Sequence, residues 1–136
     1  GVSQMGRLDK MIDQRSTVAQ LYNQRLSKIA GVEIPQVEAE TTRMSWFVYV
    51  IRVAPGIDRN KFAALLDAEG IPVRPYFAPI HLQPFMADKF GYQMGDFPVT
   101  EDLGLRSLAL PFSSVMSEEQ VNLVCEKIEQ CLRKLD

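Results

Sequence analysis

The stretch Ser45-Trp-Phe-Val-Tyr-Val-Ile-Arg-Val53 decides the fold. Aromatic and β-branched side chains pack well on a pleated, half-buried surface, and the run is too short for a good helix, so it reads as a strand. Side chains alternate along a strand, which places Trp46 and Tyr49 on opposite faces with at least one of them in the core. Downstream, Asp58 can accept from free N–H groups and open a helix over Arg59–Glu69, with Phe62, Leu65 and Leu66 facing inward and Gly70 ending it. Ile71–Arg74 then reads as a second strand and Leu108–Leu110, before Pro111, as a third.

Helices frame these strands. Met5, Leu8, Ile12, Ala19, Tyr22, Leu26 and Ile29 recur at steps that mark one helical face from Ser3 to about Ala30, with Gly31 as the stop. Such a helix would run roughly 39 Å, comparable with the whole diameter expected of a globule of this size, which suggests a spine joining two domains. Its opening, with Gly1 and Gly6 and no capping box, suggests that the chain begins inside a longer protein. Short helices are expected near Pro84–Phe90 and Val99–Ser107. Ser117 with Gln120 three residues on forms a capping box, and Val121, Val124, Ile128, Leu132 and Leu135 make the apolar stripe of a last helix. The fold class is therefore α+β: a two-layer sandwich in which a small antiparallel sheet packs with helices behind a long N-terminal helix.

Composition narrows the function. The chain has 136 residues, 46% apolar and 24% charged, enough for one core but not for two domains. A net charge of -2 without a block of Lys and Arg argues against nucleic acid as a partner. The longest apolar run, Trp46–Ile51, is too short to cross a bilayer, so no membrane is expected and the protein reads as cytoplasmic. Cys125 and Cys131, six apart in one helix, should point to different sides as reduced, half-buried thiols. One histidine and two such cysteines cannot supply a metal site. Ser113 and Ser114 have no base beside them and read as turn residues, and the scattered glycines form no phosphate-cradling loop.

The best candidate site is the turn Arg74-Pro-Tyr-Phe-Ala-Pro-Ile-His81. Pro72, Pro75, Pro79 and Pro84 remove N–H donors and fix φ, which forbids regular pairing and favours a stiff loop. That loop would hold a guanidinium, a phenol and an imidazole in fixed relation. Each has a plainer reading: His81 as a structural hydrogen-bonder, Arg74 as half of a surface ion pair, Tyr76 as a lid over the core with its hydroxyl in water.

Val73-Arg-Pro-Tyr-Phe-Ala-Pro-Ile-His-Leu-Gln-Pro-Phe85, followed by Phe90-Gly-Tyr, Gly95-Asp-Phe-Pro98 and Leu108-Ala-Leu-Pro111, resembles the DegT/StrS family of sugar aminotransferases. The opening Gly1-Val-Ser-Gln-Met-Gly-Arg-Leu-Asp-Lys10, with Arg15 and Tyr22, is similar to the helix that joins that family's two domains. The resemblance implies the C-terminal small domain of a fold-type-I enzyme, with 1–30 as the linking helix and 31–136 as the α+β body. It implies a large domain, absent from this chain, whose lysine holds pyridoxal phosphate as a Schiff base. No lysine of this chain matches the cofactor-binding motif, so no cofactor is expected on the fragment, and alone it should be inactive.

The implied reaction moves an amino group, commonly from glutamate, onto a nucleotide-linked keto-sugar, in a homodimer. His81, and more weakly Arg74 and Tyr76, are implied as substrate contacts. Two other classes remain open from the residues themselves. One is an independent α+β binding or regulatory module with the Pro-rich loop as a clamp. The other is a small self-contained enzyme using His81 as acid or base, for which no paired carboxylate or nucleophile is visible.

Overall fold

The structure, a computed structural model, describes residues 2–135. Its elements in chain order are α1 (Val2–Met5), α2 (Leu8–Leu26), β1 (Val32–Glu33), β2 (Tyr49–Val53), α3 (Arg59–Ala68), β3 (Arg74–Pro75), a 3₁₀ turn (Ile80–Leu82), α4 (Pro84–Phe90), α5 (Pro98–Arg106), β4 (Ser107–Leu110) and α6 (Glu118–Leu132). The four strands form one antiparallel sheet in the order β1-β2-β4-β3.

β2 is its centre. Tyr49, Ile51 and Val53 are buried while Val50 and Arg52 are half-buried, the alternation that a pleat imposes. The buried face meets Tyr22 and Leu26 of α2, Phe62 and Leu66 of α3, and Val121 and Ile128 of α6, all in one core. Burying a side chain of this size contributes roughly 1.5–3 kcal/mol. Asp58 caps α3 through the amides of Asn60 and Lys61, and Ser117 and Gln120 close the capping box of α6. The expected α+β sandwich with a small antiparallel sheet is the observed one.

The boundaries differ where backbone geometry overrides side-chain pattern. The strand begins at Tyr49 and not at Ser45, because Trp46 sits in the left-handed region at φ 47°. Alternation therefore cannot be counted from Trp46. Its ring and that of Tyr49 do not lie on opposite faces but stack 5.7 Å apart, and Tyr49 stacks in turn on Tyr22 at 4.8 Å. The second strand pairs at Arg74–Pro75, past the expected Ile71–Arg74, whose Ile71 and Val73 are buried. Pro75 is tolerated because β3 is an edge strand, paired on one side only.

The first helix is likewise shorter than expected. It is interrupted at Gly6 and Arg7 and ends at Leu26, so α2 spans 19 residues. Val18, Ala19, Tyr22 and Leu26 are buried, whereas Met5 and Leu8 face outward. Cys125 and Cys131 are free thiols, as read, but both are buried and not half-buried, because α6 is packed by α2 and by α3. Burial pushes the Cys125 thiol up to about 11.

Candidate functional site

The Pro-rich segment is held by α5 beneath it. Arg106 anchors α5 to the sheet, donating to the Val53 carbonyl at 2.7 Å and to Glu33 at 2.9 Å. On α5, Gly104 faces the loop: a Cβ there would lie 2.8 Å from the Pro79 ring, so only the missing side chain lets the loop sit this close. Between loop and helix lies a cleft of about 230 Å³ lined by Phe77, Pro79, Leu82, Met94 and Leu105. Phe77 itself adopts φ 52° and is 72% exposed, an aromatic held outward on a strained backbone.

His81 lies in the 3₁₀ turn and is only 7% exposed. Its Nε2 is 2.9 Å from Oε1 of Glu101, in the first turn of α5. The same carboxylate accepts the amides of Gly95, at 2.9 Å to each oxygen, and of Phe97 at 3.1 Å. Burial works against ionisation of Glu101, but the Phe97 and Gly95 amides and then His81 outweigh it and hold the carboxyl below its usual range. The rings of Phe97 and Tyr92 flank the imidazole with centroids at 4.7 and 6.5 Å.

The three residues singled out in the sequence have separate surroundings. Arg74 is exposed on β3, and its Nη1 donates to the Val73 carbonyl at 3.0 Å. Among the described residues it forms no ion pair, so the plain reading of it as half of a surface pair does not hold. Tyr76 is half-buried, its ring 4.4 Å from that of Phe77. Neither is hydrogen-bonded to His81. The residue that is, Glu101, escaped the sequence reading. Its only local signal is an acid in the first turn of a helix opened by Pro98, which is common for reasons of the helix dipole alone.

Among the described residues no group of three or more His, Cys, Asp and Glu could hold a metal ion. Among the described residues, too, no helix is long and apolar enough to cross a membrane.

A family model of the DegT/DnrJ/EryC1/StrS aminotransferases matches residues 1–129. The chain belongs to this family. It is 31% identical over 140 residues to the spore coat polysaccharide biosynthesis protein SpsC of Bacillus subtilis, an alignment covering 100% of this chain and 36% of that protein. It is 30% identical over 135 residues to the GDP-perosamine synthase of Caulobacter vibrioides, covering 97% and 35%. Among solved structures, the aminotransferase TlmJ from Streptoalloteichus hindustanus superposes with a TM-score of 0.85 at 26% identity, over 99% of this chain and 35% of that one. The chain thus spans about a third of the length of the curated relatives it matches. The DegT/DnrJ/EryC1/StrS aminotransferases are pyridoxal-phosphate-dependent.

Proposed function

We propose that the chain is the C-terminal small domain of a pyridoxal-phosphate-dependent aminotransferase that transfers an amino group from glutamate to a nucleotide-linked keto-sugar. The observation that carries this reading is one of coverage. The family match runs over nearly the whole chain, while the chain accounts for a third of its relatives' length. Residues 1–30 are then the connection to a large domain and 31–136 the body of the small one, working within a cytoplasmic homodimer.

The cofactor's anchor belongs to the large domain, because the lysines here do not fit that role. Lys10, Lys28, Lys61 and Lys89 are exposed, and Lys127 and Lys134 are both committed to Glu69. What this chain supplies is substrate contact from the Pro-rich loop. Arg74, an exposed cation on an edge strand, suits the diphosphate of a sugar nucleotide. Tyr76 offers a ring and a hydroxyl beside it, and His81 an imidazole held in place. The Caulobacter relative's name, GDP-perosamine synthase, supports an acceptor of this class. Met5, Leu8 and Phe85, all outward-facing, provide apolar surface for the large domain to cover.

The test is to supply the complete polypeptide with pyridoxal phosphate, glutamate and GDP- or dTDP-linked 4-keto-hexoses, and to follow products by mass spectrometry. The expected product is an amino sugar still linked to its nucleotide, with none formed by the 136-residue chain alone. Absence of amino product with every acceptor contradicts the reading.

A further inference from the structure

Glu101 has no part in the reading above, yet its carboxylate ties three segments of the loop region together. Its Oε1 gathers donors from His81, Phe97 and Gly95, and its Oε2 a second contact from Gly95. One carboxylate thereby joins the 3₁₀ turn that carries His81, the Gly95 turn beyond α4, and the start of α5. We propose that Glu101 is a positioning residue for His81, holding the imidazole through Nε2 so that its Nδ1 edge hydrogen-bonds a sugar hydroxyl of the substrate. This rests on the reading that His81 faces the sugar nucleotide.

Two backbone amides fix Glu101 whether or not His81 is there, so the carboxylate positions the ring and not the reverse. An ionised carboxylate can only accept, which places the shared proton on Nε2. Nδ1 is then the edge left over, and among the described residues it makes no hydrogen bond. Phe97 and Tyr92 confine the ring from the sides. The imidazole therefore has one orientation before any ligand arrives, which removes the ordering cost that a free loop histidine would carry on binding. His81 is nearly buried, which suits an edge offered to a single hydroxyl.

A double-mutant cycle in the complete enzyme tests the assignment, read as calorimetric affinity for GDP-mannose and dTDP-glucose, with the tighter probe carried forward. His81→Ala is expected to weaken binding about fivefold, the scale of one hydrogen bond. Glu101→Ala should weaken it by a similar factor, and the double variant should bind no worse than His81→Ala alone, because Glu101 acts through the ring. Glu101→Gln keeps an acceptor at the Oε1 position and should restore most of the affinity. If the alanine variant does not fold, Glu101→Leu, which also removes the acceptor, takes its place in the cycle.

Unchanged affinity in His81→Ala, or failure of the wild type to bind either probe, removes the substrate reading and this inference with it. A weakened His81→Ala beside a Glu101→Ala or Glu101→Leu that binds like wild type, or whose loss adds to that of His81→Ala, overturns the role of Glu101 alone.

Discussion

The ring of Pro79 occupies the space that a side chain on Gly104 would need: a Cβ built there lies 2.8 Å from both Cγ and Cδ. Two effects of opposite sign meet at this position. In an open helix interior, Gly→Ala stabilises by about 1 kcal/mol. Here the added methyl meets a rigid ring that cannot rotate aside, and overpacking of this kind costs about 1–3 kcal/mol. Gly104→Ala is therefore expected to lower stability in urea unfolding, and to weaken substrate binding in the complete enzyme by shifting the loop. A variant more stable than wild type would show that the loop is not seated on α5 as described.

Acid should loosen the packing of α3 against α6. Lys127 and Lys134 each place Nζ 2.8 Å from Glu69, and these two ammonium groups, Lys127 first, hold its carboxyl at about 2 against an ordinary 4.5. A carboxyl lowered on folding adds stability above its unfolded value, and that stability is lost as pH falls through the folded one. The loss should run from about pH 4.5 downward towards 2. Glu69→Gln should remove this part of the acid limb when unfolding midpoints are compared across pH, and an identical acid limb in the variant would contradict it.

Alkali acts through the stacked tyrosines. Burial above all, with the Cys125 thiol nearby, raises Tyr22 and Tyr49 well beyond the usual 10. A raised acid contributes stability below its unfolded value and loses it as pH climbs, so the fold should weaken above about pH 10 while both phenols stay protonated until unfolding. Tyr22→Phe leaves the Pro111 carbonyl, now bonded at 2.7 Å, without its donor and should cost about 1–3 kcal/mol. Tyrosinate absorbance rising in full before the fold is lost would refute the first expectation, and an unaltered urea midpoint the second.

Much of this architecture was legible in the chain, and the exceptions share a cause. The strand at Tyr49–Val53, the Asp58 cap and the Ser117–Gln120 box depend on neighbours within four residues, so local pattern sufficed. The break at Trp46 comes from a backbone angle that no local composition demands, and the Arg15 guanidinium that donates to its carbonyl lies 31 residues away. Pro75 reads as a strand breaker until sheet order shows that β3 has a free edge. In the loop, rigidity followed from the prolines, and His81 stood out as the only histidine. Its partner did not, because Glu101 lies 20 residues on and meets it only once α5 has packed.

Isolated from a large domain, the chain should not remain monomeric. Met5, Phe77, Ile80, Phe85, Val99 and Leu105 are large apolar side chains between 64 and 74% exposed, five of them in the loop, α4 and α5. Apolar surface concentrated in this way drives association. Light scattering should show a mass that rises with concentration across the micromolar range, whereas a constant monomer mass would contradict it.

The most direct measurement of the central claim is the absorbance of the complete polypeptide, purified and saturated with pyridoxal phosphate, before and after glutamate is added. A protein-bound cofactor band that shifts with glutamate and returns when a nucleotide-linked keto-sugar follows is the expected result. A polypeptide that takes up no cofactor, or whose band is indifferent to glutamate, would contradict the account.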